Sequence, residues 1–203
     1  TYNRATHLPN CLRSVLAQDF QNWELLIIDD GSDDETFAII DPLLQQDPRI
    51  RYQKHQNRKQ GLSRNAGIQA SFGQYITFLD SDDLYLPEHL SSRVDYMHQH
   101  PELDLIEGGF AVRGDIWVAD YYQVGQKISI YDCIVGATFF GKRNVFFELQ
   151  GFGNLDYGED TDFWARAEQA FHTAKLTEPP TYIYIRTEDS VTGKAMENIA
   201  TIP

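Results

Sequence analysis

Hydrophobic residues recur along this chain in blocks whose spacing alternates between strand-like and helix-like periods. Residues 23–28 form a nearly continuous apolar run, which is typical of a strand covered on both faces of a parallel sheet. Residues 50–54 and 75–79 are further strand-like runs, and helix-like spacing lies between them at 35–46 and from Gly61 onwards. This order predicts an α/β fold, with a mostly parallel central sheet and helices on both faces.

The opening and the second half of the chain complete this pattern. Residues 1–4 resemble a loop and lead directly into a helical pattern, so we expect a first strand of the sheet to precede this sequence. Residues 103–112 predict a strand interrupted at Gly108-Gly109, and residues 113–130 predict a hairpin or a loop excursion. No repeat or linker divides the sequence, so we predict one domain over residues 1–203.

The charge and the amino-acid composition limit which binding partners and which cellular location we expect. The 203 residues carry a formal net charge of −13, with a sequence pI near 4.7. This acidity argues against nucleic acid or an anionic membrane as the main partner, but it leaves a nucleotide ligand open, because a bound cation inverts the local field. Two cysteines are too few for a disulfide framework, and no apolar run reaches transmembrane length. We therefore expect a cytoplasmic location, which includes the inner face of the membrane.

Two acidic clusters follow predicted strands. Asp29 and Asp30 follow one of them, and Asp80, Asp82 and Asp83 follow another. Ligands of open α/β sheets bind outside the carboxyl ends of the strands. In an extended segment Asp80 and Asp82 point to the same side, and their oxygens suit a divalent cation that in turn holds a diphosphate. The alternative is that such aspartates cap helices or turns, which we favour for Asp83.

Five short segments extend this picture in chain order. They are Tyr2-Asn3-Arg4, Asp29-Asp30-Gly31-Ser32-Asp33-Asp34, Arg64-Asn65-Ala66-Gly67, Asp80-Ser81-Asp82 and Gly158-Glu159-Asp160. Together they resemble the motifs of the family-two glycosyltransferases, and the resemblance covers nearly the whole sequence. It implies the GT-A fold of nucleotide-diphospho-sugar transferases, with a nucleotide-binding part at about residues 1–112 and an acceptor-binding part at about residues 113–203.

The resemblance also implies a role for each motif. Asp160 is expected to be the general base, with Glu159 beside it orienting the acceptor or Asp160 itself. Asp82 is expected to be the direct ligand of Mn²⁺ or Mg²⁺, with Asp80 as its helper or near the ribose. The residues expected to bind the nucleotide are Tyr2, Asn3, Arg4, Asp29, Asp30, Arg64, Asn65, Asp80 and Ser81.

The implied reaction is an inverting, metal-dependent sugar transfer of the hexosyltransferase type. The donor is a nucleotide-diphospho-sugar, UDP-linked in our interpretation, and the acceptor is a hydroxyl of a sugar, a lipid-linked molecule or another compound. Polysaccharide, glycolipid or cell-surface glycan synthesis is the expected setting. Peripheral membrane association through segments outside this sequence stays open. We expect Trp117 to contact the acceptor.

One departure from the family pattern concerns the metal site. Many members have a histidine near the end of the domain, and Thr187 occupies the nearest position here, with Glu188 and Asp189 as substitutes.

Two other hypotheses about the function stay open. A sugar-nucleotide-forming nucleotidyltransferase requires a glycine-rich phosphate loop near the first strand, which the visible opening lacks. An inactive sugar- or nucleotide-binding domain predicts the loss of Asp82 or Asp160, and both are present.

Overall fold

The computed structural model describes residues 1–120, 122, 123, 125–155 and 157–186. Helices and strands lie close to the positions that the periodicity predicts, and the interrupted strand becomes two strands. The helices are α1 (Leu8–Leu16), α2 (Thr36–Gln46), α3 (Lys59–Ala70), α4 (His89–Gln99), α5 (Arg143–Glu148) and α6 (Glu159–Ala170). The strands are β1 (Leu25–Asp29), β2 (Ile50–Lys54), β3 (Tyr75–Thr77), β4 (Leu84–Tyr85), β5 (Leu105–Gly108), β6 (Phe110–Arg113), β7 (Trp117–Ala119), β8 (Lys127–Ser129), β9 (Phe140–Lys142), β10 (Thr173–Leu176) and β11 (Tyr182–Ile185).

The strands pair in both directions. β1 pairs with β2, β5 with β10 and β6 with β11, all in parallel. β9 lies between β5 and β3 and runs antiparallel to both, and β4 runs antiparallel to β11. The predicted α/β class is therefore confirmed. The pairing is more mixed than the mostly parallel arrangement that the sequence predicts, because β9 returns through the sheet in the opposite direction.

The opening loop is attached to the carboxyl end of β1. The amino group of Thr1 donates to the carbonyl of Ile28 at 2.7 Å, and the amide of Asp30 donates to the carbonyl of Thr1 at 2.8 Å. Thr1 thus bonds to the two residues that flank Asp29. This is the hydrogen-bond pattern of a parallel strand pair. They place Tyr2, Asn3 and Arg4 next to the loop that follows β1.

An aromatic cluster packs α6 against the sheet. Phe163 and Trp164 of α6 are almost fully buried against Phe139, Phe146 and Phe152. The rings of Phe152 and Phe163 lie 4.8 Å apart, and those of Phe146 and Phe163 lie 5.3 Å apart. Burial of several aromatic rings holds α6 by the hydrophobic effect, so the position of its first turn is well defined.

Two predictions about the loops are refined. The hairpin alternative for residues 113–130 is confirmed by the antiparallel pair β7–β8. β3 ends at Thr77, two residues before the predicted end. The carbonyl of Phe78 instead accepts the hydroxyl of Tyr85, and the amide of Asp83 bonds back to the carbonyl of Asp80. The acidic segment is therefore a tight turn. Within the described residues, no helix is both long and apolar enough to cross a bilayer.

Candidate active site

The two acidic loops, the opening loop and the start of α6 share one cavity of about 1380 Å³. The cavity also extends back between β1 and β3, whose residues contribute to its walls. Most of the predicted site residues line it, namely Tyr2, Asn3, Arg4, Asp30, Arg64, Asp80, Ser81, Asp82, Glu159 and Asp160. Asp29 and Asn65 lie outside it. The chain thus brings together residues that are up to 158 positions apart, from Tyr2 to Asp160.

Asp29 is buried and makes its hydrogen bonds within the protein. Its side chain is fully buried, and one oxygen accepts the amides of Gly31 and Ser32 at 3.2 and 2.7 Å. The other oxygen accepts the hydroxyl of Tyr52 at 2.6 Å. Burial alone raises the pKa of Asp29, but these hydrogen bonds outweigh it and hold the pKa below its ordinary value. One oxygen therefore stabilises the turn after β1 and the other joins it to β2, and the nucleotide role predicted for Asp29 has no geometric support.

Asp30 lines the cavity and also caps α3. Its two oxygens accept the amides of Arg58 and Lys59 at 2.6 and 2.9 Å, at the start of α3. Nδ1 of His55 lies 3.3 Å from one of them. A carboxylate at a helix N-terminus is favoured by the helix dipole. The place of His55 beside Asp30 depends on the turn after β2, which no sequence motif indicates.

The opening loop is held by the loop that follows β1. The amide of Asn3 donates to the hydroxyl of Ser32 at 2.9 Å, and Oδ1 of Asn3 accepts the amide of Asp33 at 2.9 Å. Asn3 adopts a left-handed φ of 50°, which asparagine tolerates better than most residues. Asn3 therefore orients the loop through its own chain, while Tyr2 is half exposed at the cavity wall.

Arg64 joins the acidic turn to the start of α6. Its Nη2 lies 3.0 Å from Oδ1 of Asp80, and its Nη1 lies 3.2 Å from Oε1 of Glu159. Burial alone lowers the pKa of Arg64, but the two carboxylates outweigh it and raise the pKa. Burial raises the pKa of Glu159, and Arg64 offsets only part of that effect. In this structure the guanidinium thus neutralises two acids, and its predicted contact with the nucleotide stays a prediction.

Asp160 is fixed by two backbone amides. Its Oδ2 accepts the amide of Gly136 at 3.1 Å, and its Oδ1 accepts the amide of Thr161 at 2.8 Å. The side chain lines the cavity and is partly exposed, and each oxygen accepts one hydrogen bond and so has capacity for a further donor. A carboxylate held in one orientation at a cavity wall is suited to accept a proton from a bound hydroxyl.

The acidic turn offers oxygens that suit a divalent cation. Asp80 and Asp82 both line the cavity, and their side chains are partly exposed. Nη2 of Arg4 lies 3.8 Å from Oδ2 of Asp82, so a cationic group already faces this carboxylate. In the part of the chain that the structure describes, no three acidic, histidine or cysteine side chains cluster tightly enough to form a complete metal site. Carboxylate oxygens are the ligands that Mn²⁺ and Mg²⁺ prefer, and an ion held by Asp80 and Asp82 would take its remaining ligands from a substrate diphosphate and water.

Asp83, next to these residues, has the structural role that the sequence favours. It is 2% exposed, and it accepts the hydroxyl of Tyr182 and the amide of Ile185 at 2.5 and 2.7 Å. Burial, together with the charge of Asp80, raises its pKa to about 8. Asp83 therefore joins the acidic turn to the end of β11.

Asn65 binds the chain itself. Its Nδ2 donates to the carbonyl of Phe152 at 2.8 Å, and its Oδ1 accepts the amide of Phe152 at 2.7 Å. This two-point contact fixes residues 151–153 against α3, and a side chain at Gly151 would lie 2.1 Å from the amide oxygen. The expected nucleotide contact of Asn65 therefore has no geometric support.

Several residues of the cavity were missed by sequence reasoning. Gln60 donates to both oxygens of Asp80 at 3.3 and 3.4 Å, and Tyr157 lines the wall of the cavity. Trp117, which the sequence favoured as an acceptor contact, is half exposed on β7 and does not line the cavity. Thr187, Glu188 and Asp189 lie outside the described residues. Neither Gln60 nor Tyr157 belongs to a recognisable motif. Tyr184, which also lines the cavity, begins the segment Tyr184-Ile185-Arg186 that precedes Thr187 and resembles the family's ending.

Solved structures share this architecture. The structure of S. aureus TarS 1–349 in complex with UDP matches with a TM-score of 0.76 and 20% identity, over 98% of this chain and 62% of that chain. The mannosyltransferase PcManGT from Pyrobaculum calidifontis, in complex with GDP-Man and Mn²⁺, matches with a TM-score of 0.73 and 16% identity, over 98% and 58%. At these identities the likeness concerns the fold, and it confirms the predicted GT-A architecture.

Curated relatives carry glycosyltransferase names. The GalNAc(5)-diNAcBac-PP-undecaprenol beta-1,3-glucosyltransferase of Campylobacter jejuni is 29% identical over 213 residues, covering 98% of this chain and 67% of the relative. Glycosyltransferase GlyG of Streptococcus pneumoniae is 35% identical over 111 residues, covering 54% and 36%. An uncharacterized glycosyltransferase of Rickettsia felis is 38% identical over 99 residues, covering 49% and 16%. The chain thus spans only part of the length of these relatives.

The family model described as Glycosyl transferase family 2 matches residues 1–144, which is more than half of the chain. This match includes the opening loop, both acidic clusters and Arg64, which the structure gathers around one cavity. The resemblance seen in the sequence is therefore confirmed: the chain belongs to glycosyl transferase family 2.

Proposed function

We propose that this chain transfers a sugar, with inversion, from a UDP-sugar to an acceptor hydroxyl, with Asp160 as the general base. The observation that carries the proposal is the position of Asp160. Its carboxylate is oriented by Gly136 and Thr161 at the wall of a cavity that also contains the acidic turn. A base on one side and a place for a diphosphate on the other are what a single displacement requires.

The reaction forms one bond and breaks one. Asp160 removes the proton of the acceptor hydroxyl while that oxygen attacks the anomeric carbon. The bond from that carbon to the diphosphate oxygen breaks on the opposite side, and UDP leaves with the electron pair. Attack opposite the leaving group inverts the configuration at the anomeric carbon. Glu159 keeps Arg64 in place behind the base, at 3.2 Å.

Asp82 would hold the cation, with Asp80 as its second protein ligand. A bound Mn²⁺ or Mg²⁺ supplies Lewis-acid stabilisation of the negative charge that develops on the diphosphate. Asp80 is also held by Arg64 and Gln60, which fix the orientation of its carboxylate. Asp30 and the opening loop line the same cavity and would hold the nucleoside, because carboxylate and amide oxygens accept hydrogen bonds from a base or a ribose.

A lipid-linked acceptor is our proposal for the other substrate. The name of the Campylobacter jejuni relative describes a glucosyltransferase that acts on an undecaprenol-linked glycan, and its match extends over 98% of this chain. Tyr157 and Tyr184, which line the same cavity as Asp160, are aromatic residues on which a sugar of such an acceptor would pack. An acceptor of this kind would bring the protein to a membrane surface.

Thermal unfolding tests the proposal directly. In the presence of Mn²⁺, UDP at about 100 times its own Kd should raise the free energy of unfolding by about 2.7 kcal/mol, which raises Tm by about 5–10 °C. UDP without the metal should raise Tm much less. Asp82→Asn should remove the metal-dependent part of the shift, whereas Asp33→Asn, a substitution in the other acidic loop, should keep it. The absence of a metal-dependent shift with both UDP and GDP would contradict the proposal.

A further inference from the structure

Glu107 is a buried acid that the proposed reaction does not use. It lies on β5 between apolar neighbours, and its side chain is 3% exposed. A carboxyl group in such a place is costly unless it is hydrogen-bonded. Its Oε1 accepts the amide of Val135 at 3.0 Å, in a contact that is itself buried. The bond joins the sheet to the turn that runs over it.

That turn carries the amide that holds Asp160. The amide of Val135 donates to Glu107, and the next amide, of Gly136, donates to Oδ2 of Asp160 at 3.1 Å. Val135 is extended, with φ −116° and ψ 95°. Successive amides of an extended segment point to opposite sides. One face of the turn is therefore fastened to Glu107 beneath it, and the other face presents a donor to the cavity.

β5 also holds the carbonyl of Val135. The hydroxyl of Thr138 donates to this carbonyl at 2.8 Å and accepts the amide of Gly108 at 2.9 Å. Residues 107 and 108 thus fix both polar groups of Val135, one directly and one through Thr138. The turn has little freedom to shift relative to the sheet.

Small shifts of this turn reach the base. A Cβ atom added to Gly136 would lie 2.6 Å from Cβ of Asp160 and 3.1 Å from Nη1 of Arg64. Such distances mean that the backbone of the turn is already in contact with both side chains. A displacement of Val135 by a few tenths of an ångström therefore changes the orientation of the Asp160 carboxylate.

We propose that Glu107 is a positioning residue, which fixes the Val135 amide and thereby the Gly136 N–H that orients Asp160. This inference rests on the proposed function, in which Asp160 is the base. Glu107 lies behind the turn and does not line the cavity, so it acts through the turn and touches no substrate.

The charges around Glu107 fit this role. Burial raises its pKa to about 7, and the charge of Asp160 adds to that effect. Lys175, its register partner on β10, and the Val135 amide act in the opposite direction. The ionised acid is the stronger acceptor for the Val135 amide. The base and the acid behind it are therefore electrostatically coupled across the turn.

Amide hydrogen exchange measures the position of the turn without a substrate. In the whole chain, Glu107→Ala should speed exchange of the Gly136 amide by about tenfold or more, because the turn that carries this amide is no longer held in place against Asp160. Glu107→Gln keeps an acceptor oxygen and should stay within about threefold of the unsubstituted chain. Glu24→Ala is the matched control: Glu24 accepts the amides of Phe72 and Gly73 in a different turn, and its loss should not change Gly136.

Turnover gives the second readout, as UDP released from UDP-glucose and from UDP-N-acetylglucosamine. Glu107→Ala should lower kcat by about tenfold with an unchanged KM for the donor, and Glu107→Gln should restore most of it. If Glu107→Ala does not fold, Glu107→Asp, which withdraws the carboxylate by one methylene, should give the same results. Unchanged Gly136 exchange in these variants overturns the inference, and so does equal loss of kcat in Glu24→Ala.

Failure of this inference differs from failure of the proposed function. Asp160→Asn is measured beside the Glu107 variants. If Asp160→Asn retains turnover, the assignment of the base fails, whatever the Glu107 variants do. If Asp160→Asn is inactive while Glu107→Ala keeps both its kcat and its Gly136 exchange, only the inference about Glu107 fails.

Discussion

Nη1 of Arg64 lies 3.2 Å from Oε1 of Glu159, although 95 residues separate the two in the chain. The contact is buried, and the same guanidinium also holds Asp80. A buried cation between two acids makes each of them depend on it, because removal of one partner leaves uncompensated charge. Arg64 therefore links the acidic turn after β3 to the helix that carries Asp160.

Arg64→Met should test this link. The substitution keeps the apolar volume and leaves Glu159 without its cation, so we expect a loss of about 3 kcal/mol in the free energy of unfolding. Turnover should fall as well, because Asp80 is no longer fixed. Urea denaturation and UDP release measure the two effects. Arg49→Met, which removes a partly exposed pair with Asp47, should destabilise much less, and equal losses would contradict the role of Arg64.

Asp160→Asn should separate catalysis from binding. An amide in place of the carboxylate keeps an acceptor for the Gly136 amide but does not accept the substrate proton, so kcat should fall by about 10³-fold or more. The Tm shift produced by UDP and Mn²⁺ should be nearly unchanged. Asp162→Asn, two residues further along α6, should retain turnover. Loss of both binding and turnover in Asp160→Asn would argue against its role as the base.

Gly136→Ala should disturb the base without changing any acid. The added methyl would lie 2.6 Å from Cβ of Asp160, which is closer than packed atoms tolerate. We expect kcat to fall by about tenfold or more, with a smaller effect on donor KM. At Gly153 a Cβ would make an ordinary contact of 3.5 Å with Asp162, so Gly153→Ala is the comparison. Similar kinetics for the two variants would show that the crowding at residue 136 has no consequence.

Asn65→Ala should reduce stability and spare nucleotide binding. It removes both hydrogen bonds to the backbone of Phe152, and it leaves a buried amide and carbonyl without partners, at a cost of about 1–3 kcal/mol. The folded variant should still show the Tm shift with UDP and Mn²⁺. Asn144→Ala removes an exposed contact with Glu148 and should change stability by about 0.5 kcal/mol or less. A selective loss of UDP binding in Asn65→Ala would instead restore the role that the sequence suggested.

Stability should depend on pH through Glu107. Its pKa is about 7 in the folded chain and 4.5 ordinarily, so the folded state holds the proton more tightly than the unfolded state. Stability should therefore fall as pH rises from about 4.5 to about 7, by on the order of 3 kcal/mol. The Glu107→Gln side chain does not titrate, so this variant lacks the pH-dependent contribution of Glu107. Its stability relative to the unsubstituted chain should increase between about pH 5 and pH 8, and a constant difference would contradict the raised pKa.

The sequence predicts well which strands and loops form the site, because the spacing of apolar residues indicates which positions are buried. The apolar run before Asp29 and the runs at 50–54 and 75–79 identify strands, and residues after such strands meet at one edge of the sheet. That argument brings Asp30, Asp80 and Asp82 to one cavity, as the structure does. It requires no knowledge of how individual side chains pair.

Contacts between side chains that are far apart in the chain could not be predicted from the sequence. Nothing near Asp29 indicates that Tyr52 lies against it, and the Asn65 motif gives no sign of Phe152, 87 residues away. Glu107 is a single acid in an apolar strand, and its partner Val135 follows a stretch with a weak pattern. These contacts are set by tertiary packing, and local propensity does not encode them.

The capping of α3 by Asp30 has a mechanical consequence. Asp30 binds the amides of Arg58 and Lys59, and Arg64 lies about 9 Å further along, since a helix rises about 1.5 Å per residue. One helix therefore joins the cap at Asp30 to the residue that pairs with Glu159 at the start of α6. A UDP-sugar that shifts Asp30 would also shift Glu159 through this helix, so its uridine end and its sugar end would not be sensed independently.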